Sequence, residues 1–443
     1  MKHLAIGTGI FSLQWFVFLV ANSLMLPIVV GKIFHMPTEE IVGLIQRMFF
    51  VVGLSSLISA RFGHRVPIAD GPAGIWLGIF ILLGQLAASQ GTDQYATLQL
   101  LEGGMLITGV TVVLIGFSGW IHQLLKVFTP LVTGVYLISL TIQLCGTLLN
   151  GMIGASDASV PNHTANAIVS FGVFFVVFAL SVWGKGWMKS YAVLIGVIVG
   201  WIVYATVNGF GNVPTSGSIV NLPDVFAWGM PKLDGGMTVT AVMVAFILIS
   251  SVIASMAAMH QVLGEQEQTD RKFTPLDRGG VVAGISNILC SLFSTIGVVP
   301  LSISAGFVRL TGQRRLVPFY IACIALIVVS FVPGIYSLLS LLPAQVAYAA
   351  MFATFAQMIG IGLISILKMP LDERRLTIHS LSLSLGTGVM FLPQSLFSSL
   401  PTIFQYLLSN GVIVGMLVAL LLEQSWKPKP QTVASVPNNV KSA

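Results

Sequence analysis

Val66-Pro67-Ile68-Ala69-Asp70-Gly71-Pro72-Ala73-Gly74 and Val299-Pro300-Leu301-Ser302-Ile303-Ser304-Ala305-Gly306 decide how this chain is read. Each interrupts an apolar stretch with Val-Pro and then reaches Ala-Gly, six residues from Pro67 to Ala73 and five from Pro300 to Ala305. Proline removes a backbone donor and glycine removes a side chain, so both sites leave peptide groups free at membrane depth. Lipid forbids such groups unless they line a cavity or a binding site. Broken segments in corresponding places of the two halves of a polytopic chain point to the substrate site of a secondary transporter.

The surrounding composition agrees with a membrane setting. The 443 residues have a mean hydropathy of +0.92, are 55% hydrophobic and only 8% charged. Soluble domains carry roughly 25% charged residues, so this is an integral membrane protein. Cys145, Cys290 and Cys323 lie far apart in apolar runs, which suggests neither a disulfide framework nor a metal motif. No cofactor or metal is expected. The net charge of +6 falls in short loops, where it reports orientation rather than a nucleic-acid partner.

About 20 apolar residues cross a bilayer as a helix. On that scale the candidates are 10–30, 41–60, 72–89, 97–117, 128–150, 166–183, 191–208, 237–258, 278–293, 303–312, 317–336, 343–367, 376–392 and 403–422, fourteen in all. The tenth is too short alone, and the extended 296–302 before it supplies the missing length, as 66–71 does for the third. A short extended segment followed by a half helix is expected in both places. With the N-terminus inside, eighteen of the 21 Lys and Arg residues fall on the cytoplasmic side, Lys32 and Lys232 fall outside, and Arg47 lies within a span. Both termini are therefore read as cytoplasmic. Seven plus seven spans place the second half in the opposite orientation, giving an all-α membrane fold of two inverted repeats with segments 3 and 10 broken. The longest exterior stretch, 208–236, reads as a loop, and 425–443 reads as a disordered cytoplasmic tail.

The run Ile303-Ser304-Ala305-Gly306-Phe307-Val308-Arg309-Leu310-Thr311-Gly312 resembles the signature of the nucleobase and ascorbate transporters. Gly306, Thr311 and Gly312 match it, whereas Ile303 and Ser304 depart from it. Leu13-Gln14-Trp15 is similar to the family's Leu-Gln-His, and Leu26-Pro27 ends the first span as the family does. The chain looks most like a divergent bacterial purine and uracil permease that lacks the acidic site residues. The resemblance implies a core domain (1–127 and 237–340) and a gate domain (128–236 and 341–424). It also implies substrate between two half helices, proton co-transport in many members, and frequent dimers.

A nucleobase needs a few fixed polar groups and an apolar or aromatic wall. Freed amides near Ala73-Gly74 and near Ser302-Ile303-Ser304, at two opposed half-helix N-termini, supply donors without an acidic side chain. Ser302 and Ser304 either face substrate or bond back to helical carbonyls. Ser251 and Ser255, four apart on one helix face, stand where the resemblance places a carboxylate and a second polar residue. Asn22 is a mid-span amide at a family substrate position. Trp15 is read as an interfacial anchor. Asp70 either carries a proton or caps the half helix that begins just after it. Arg47 is read as snorkelling outward, and Glu102 as near the outer surface. No histidine falls clearly at mid-membrane, and no enzyme constellation is present at that depth.

The reading is therefore a nucleobase permease for a purine such as xanthine, guanine or hypoxanthine, or for uracil. The competing reading is an anion exchanger or channel of the same two-repeat fold, carrying sulfate or bicarbonate. Arg309 would favour the latter if it faced the cavity.

Overall fold

The computed structural model describes residues 2–121, 123, 127, 129–154, 163–209, 218–264, 274–397, 400, 404 and 408–426. The expected tail, from residue 427 onward, and positions 210–217 of the exterior loop lie outside them. Helices α1 (Lys2–Ile33), α2 (Thr38–Phe62), α3 (Gly74–Gln90) and α4 (Gln94–Ser118) are followed by α5 (Pro130–Ile153), α6 (His163–Trp183), the short α7 (Trp187–Ser190) and α8 (Ala192–Asn208). The second half has α9 (Gly235–Leu263), α10 (Pro275–Leu292), α11 (Ile303–Thr311), α12 (Leu316–Ser330), α13 (Pro333–Leu339), α14 (Ala344–Ile366), α15 (Glu373–Met390) and α16 (Gly411–Ser425). Strands β1 (Asp70–Pro72) and β2 (Val298–Pro300) precede α3 and α11.

Each of the fourteen expected spans holds a helix, although many do not qualify as crossings by themselves. Among the described residues seven helices are long and apolar enough to cross alone, and α12 with α13 makes an eighth, bent by 92°. That bend falls where Val332 precedes Pro333, as proline's steric demand on its neighbour requires. α10 is rich in glycine and serine because it must approach another backbone. A Cβ on Gly109 of α4 would stand 2.6 Å from the Gly284 carbonyl oxygen of α10, and one on Gly284 would meet the Gly109 oxygen at the same distance.

The two breaks meet. β1 and β2 pair antiparallel with Asp70 opposite Pro300, Gly71 opposite Val299 and Pro72 opposite Val298. Beyond the strands the Ala73 amide donates to Gly297 O and the Leu301 amide to Ala69 O, both at 2.8 Å. This is the pseudo-two-fold relation that an inverted repeat generates. It also shifts the equivalence suggested by the sequence. The equivalent of Pro300 in the first half is Pro72, since each ends its strand. Val66-Pro67-Ile68 lies upstream as a turn, with the Ile68 amide on Val66 O at 2.8 Å.

Packing separates two sets of helices. α2 packs on α1, α10 and α12, and α4 on α9 and α10; α5 packs on α14, α15 and α16, and α6 on α8 and α14. Contacts between the sets include α1 with α14 and α3 with α5. Residues 218–234 do not hang free. Asn221 donates to Phe331 O, Phe226 to Leu292 O and Lys232 to Gln99 O, while Gln46 reaches Asn221 O and Gln99 reaches Trp228 O.

Candidate functional site

The β1–β2 pair sets the N-termini of α3 and α11 at opposite ends of one small ladder. Neither helix has a side-chain cap: Ala73 holds the N-cap of α3 and Ser302 that of α11, and neither makes a capping bond. The backbone amides of Gly74, Ile75 and Trp76, and of Ser302 and Ile303, have no acceptor among the described residues. The ladder also has a rigid back. Trp76 Nε1 donates to Asn287 Oδ1 at 3.1 Å, and the Asn287 amide donates to Val298 O at 2.9 Å and Ala283 O at 3.0 Å. Asn287 was not singled out from sequence, but a mid-span amide in an apolar helix is the signal that marks it.

The expected side chains divide into those facing open space and those that brace the breaks. Ser302 and Gly306 are exposed, and Ile303 is 47% exposed, so this face of α11 is open. Ser304 is buried and accepts the Ala69 amide at 3.1 Å, tying one break to the other. Ala73 is buried, while Gly74 is half-buried against Phe355 of α14 and Leu140 of α5. Phe355 thus brings an aromatic wall that only tertiary packing reveals. Asn22 is half-buried and donates to Phe18 O at 2.7 Å. Ser251 is half-buried and bonds to Ile247 O; Ser255 is 1% exposed and bonds to Ser251 O and Val252 O. Both hydroxyl protons are thereby held within their own helix. At the other end of α11, Thr311 donates to Phe307 O and Gly312 closes the helix with φ +70 and its amide on Val308 O. That end of the signature is a C-cap, which explains why glycine suits it.

Four sequence expectations change. Asp70 does not cap α3. Its Oδ2 accepts from Ser59 at 2.8 Å, its amide donates to Ser56 Oγ at 2.9 Å, and its Oδ1 has no hydrogen-bond partner among the described residues. Trp15 is fully buried rather than interfacial, because Phe18, Phe307 and Phe319 surround it with ring centroids at 5.5, 4.5 and 4.8 Å. Arg47 does not snorkel. It is 5% exposed, its Nε donates to Ser294 O at 3.1 Å, and its guanidinium lies 6.0 Å from the Trp228 ring centroid. Glu102 is fully buried near Arg47 and Ser294, because residues 218–234 cover that end of α4.

This buried charge cluster is flanked by two non-glycine residues at positive φ, Phe226 at 51° and Ser294 at 43°. Arg47 and Glu102 form no ion pair within 4 Å among the described residues, so removing Arg47 costs chiefly its bond to Ser294 O and part of the compensation of Glu102, typically about 1–3 kcal/mol. Arg47→Met is expected to destabilise the detergent-solubilised protein by an amount of that order. Arg47→Met with Glu102→Met should be clearly less damaging than the sum of the single changes, as measured by thermal unfolding.

Comparison with known proteins agrees with this geometry. The family model Xan_ur_permease, described as a permease family, matches residues 7–395. The chain is 30% identical over 420 residues to the provisionally named purine permease YwdJ of Bacillus subtilis (strain 168), covering 93% of this chain and 94% of that one. It is 25% identical over 446 residues to the uric acid permease PucK of the same strain, covering 98% and 99%. In fold it is similar to the transmembrane domain of the cyanobacterium bicarbonate transporter BicA, with a TM-score of 0.57 and 16% identity over 93% of this chain and 97% of that chain. The resemblance read from the first span and the α11 signature is borne out: this chain is a multi-pass membrane protein that belongs to the Xan_ur_permease permease family.

Proposed function

We propose that this protein is a secondary transporter of a nucleobase, most favourably a purine, across the cytoplasmic membrane with both termini inside. The observation that carries the reading is the pair of uncapped half-helix N-termini held by β1–β2, in a chain of this permease family. Five amides without acceptors supply donors for the heteroatoms of a flat ring, and Phe355 supplies a wall. The names of YwdJ and PucK favour purines. Ala73, Gly74, Ser302 and Ile303 are proposed to meet the ring directly, with Asn22 and Ser251 beside it and Ser304 and Ser255 bracing it.

The proposed moving parts are a core of α1–α4 with α9–α13 and a gate of α5, α6, α8 and α14–α16. Residues 218–234 are assigned to the core, on whose helices their hydrogen bonds end. Asp70 is proposed to carry a coupling proton. Ser55 and Ser286 flank its carboxyl, yet their hydroxyl protons are spent on Val52 O and Val282 O. With those bonds in place, Asp70 Oδ1 has no donor among the described residues. A buried carboxyl with one oxygen unpaired and no ion pair among the described residues is a place where a coupling proton can ride.

The anion reading is less well supported, because Arg309 is an exposed residue in the last turn of α11, away from the amides at its start. The test is uptake of radiolabelled xanthine, uric acid, guanine, hypoxanthine, uracil and sulfate by cells lacking their own nucleobase permeases. Saturable uptake of at least one base and none of sulfate is expected; uptake of sulfate alone overturns the proposal.

A further inference from the structure

A cavity of about 840 Å³ opens where α1, α3, α5 and α8 end and α14 begins, away from the half-helix amides. We propose that it is a second binding station for a planar heteroaromatic ring, occupied before the half-helix site. This rests on the nucleobase reading above. Its walls come from both helix sets: Gln85 of α3 on one side, and Asn150 of α5, Trp201 of α8 and Gln345 of α14 on the other. A ring lying there touches both sets at once.

Gln345 carries the argument. It borders the cavity, is only 7% exposed, and its amide makes no hydrogen bond with any described residue. Its side-chain amide is accessible from the cavity rather than sealed within the protein, so a ligand with a complementary edge can take the place of water there. A carboxamide offers a donor and an acceptor side by side, which matches the edge of an oxopurine or a uracil ring. The Trp201 indole adds a flat apolar surface, and among the described residues that border the cavity there is no Asp or Glu while Lys32 and His35 are present, so these residues do not repel a neutral or anionic ring. A bulky apolar solute would leave these amides without partners.

The station also connects to the breaks. Gln85 and Ile81 border the cavity, and Gly78 and Gly74 continue the same face of α3 at spacings of three and four residues. Leu140 packs against Gly78 and, with Phe355, against Gly74. Those two side chains therefore form one apolar barrier between the cavity and the start of α3. A ring released from the station enters the half-helix site once that barrier shifts.

Equilibrium binding of radiolabelled xanthine and uric acid to the purified full-length protein tests this. The wild type is expected to hold two equivalents of the purine it transports, and Gln345→Leu and Trp201→Ala one each. In transport, both variants should raise KM about five- to tenfold with little change in kcat, the loss expected for one hydrogen bond or ring contact. One equivalent in the wild type, or two retained in both variants, overturns the station while leaving the nucleobase reading intact. Failure of every form to bind either purine overturns the station, and the uptake assay above then decides the nucleobase reading separately.

Discussion

Asp70→Asn is expected to abolish accumulation of substrate against its gradient while leaving downhill exchange. A one-to-one proton symporter concentrates a neutral base about tenfold for each unit of imposed pH difference, since one unit is worth about 1.4 kcal/mol. In vesicles made acidic outside, the wild type should show that ratio and the variant a ratio near one. The substitution is suited to the site. Asparagine keeps the size of aspartate and an oxygen that accepts from Ser59, so the Ser59 and Ser56 contacts and the strand position are retained. Strong gradient dependence that survives Asp70→Asn overturns the proposed proton role.

Gly297→Ala is expected to reduce uptake more than tenfold, a loss of over about 1.4 kcal/mol, and to lower thermal stability. The new Cβ would stand 2.1 Å from Trp76 Cδ1 and 2.2 Å from Nε1, and neither the indole nor the strand can yield without cost. Moving the ring breaks its bond to Asn287, which itself holds Val298 O; moving the strand breaks the Ala73 bond to Gly297 O. Overpacking of this kind typically costs about 1–3 kcal/mol, before the lost hydrogen bonds are added. Gly297→Ala with Trp76→Leu should recover part of the stability by vacating that space. Gly306→Ala makes a useful contrast, because nothing lies within 4 Å of its Cβ. It should fold normally, so any change in KM there reports on substrate. Equal melting temperatures for Gly297→Ala and the wild type would contradict this packing account.

Much of the fold was legible because proline and glycine act locally. Pro300 ends β2, and each of the fourteen apolar runs read from the sequence holds a helix. The match of Pro67 to Pro300 failed because two similar tripeptides sit at different places relative to the ladder, and register is decided by pairing across the two halves. The depths of Arg47, Glu102 and Trp15 were misread for a related reason. Distance along a helix says how far a residue lies from its end but not what covers it there. Arg47 and Glu102 are enclosed by the loop that carries Trp228, and Trp15 by phenylalanines from α11 and α12. Phe355 carries no local mark at all, since its position depends on α14 lying beside α3's glycines.

The central claim is that ligand lies at the open face of the paired breaks, beside the Ser302 and Ile303 amides. Thiol labelling of Ile303→Cys tests it most directly. The native thiols interfere little, as Cys290 and Cys323 are buried and Cys145 can be replaced by serine. Maleimide should modify Ile303→Cys readily, and the transported base should protect it in a saturable way, with half-protection near the transport KM, whereas sulfate should not. Modification that no nucleobase slows, or that sulfate alone slows, would contradict the account.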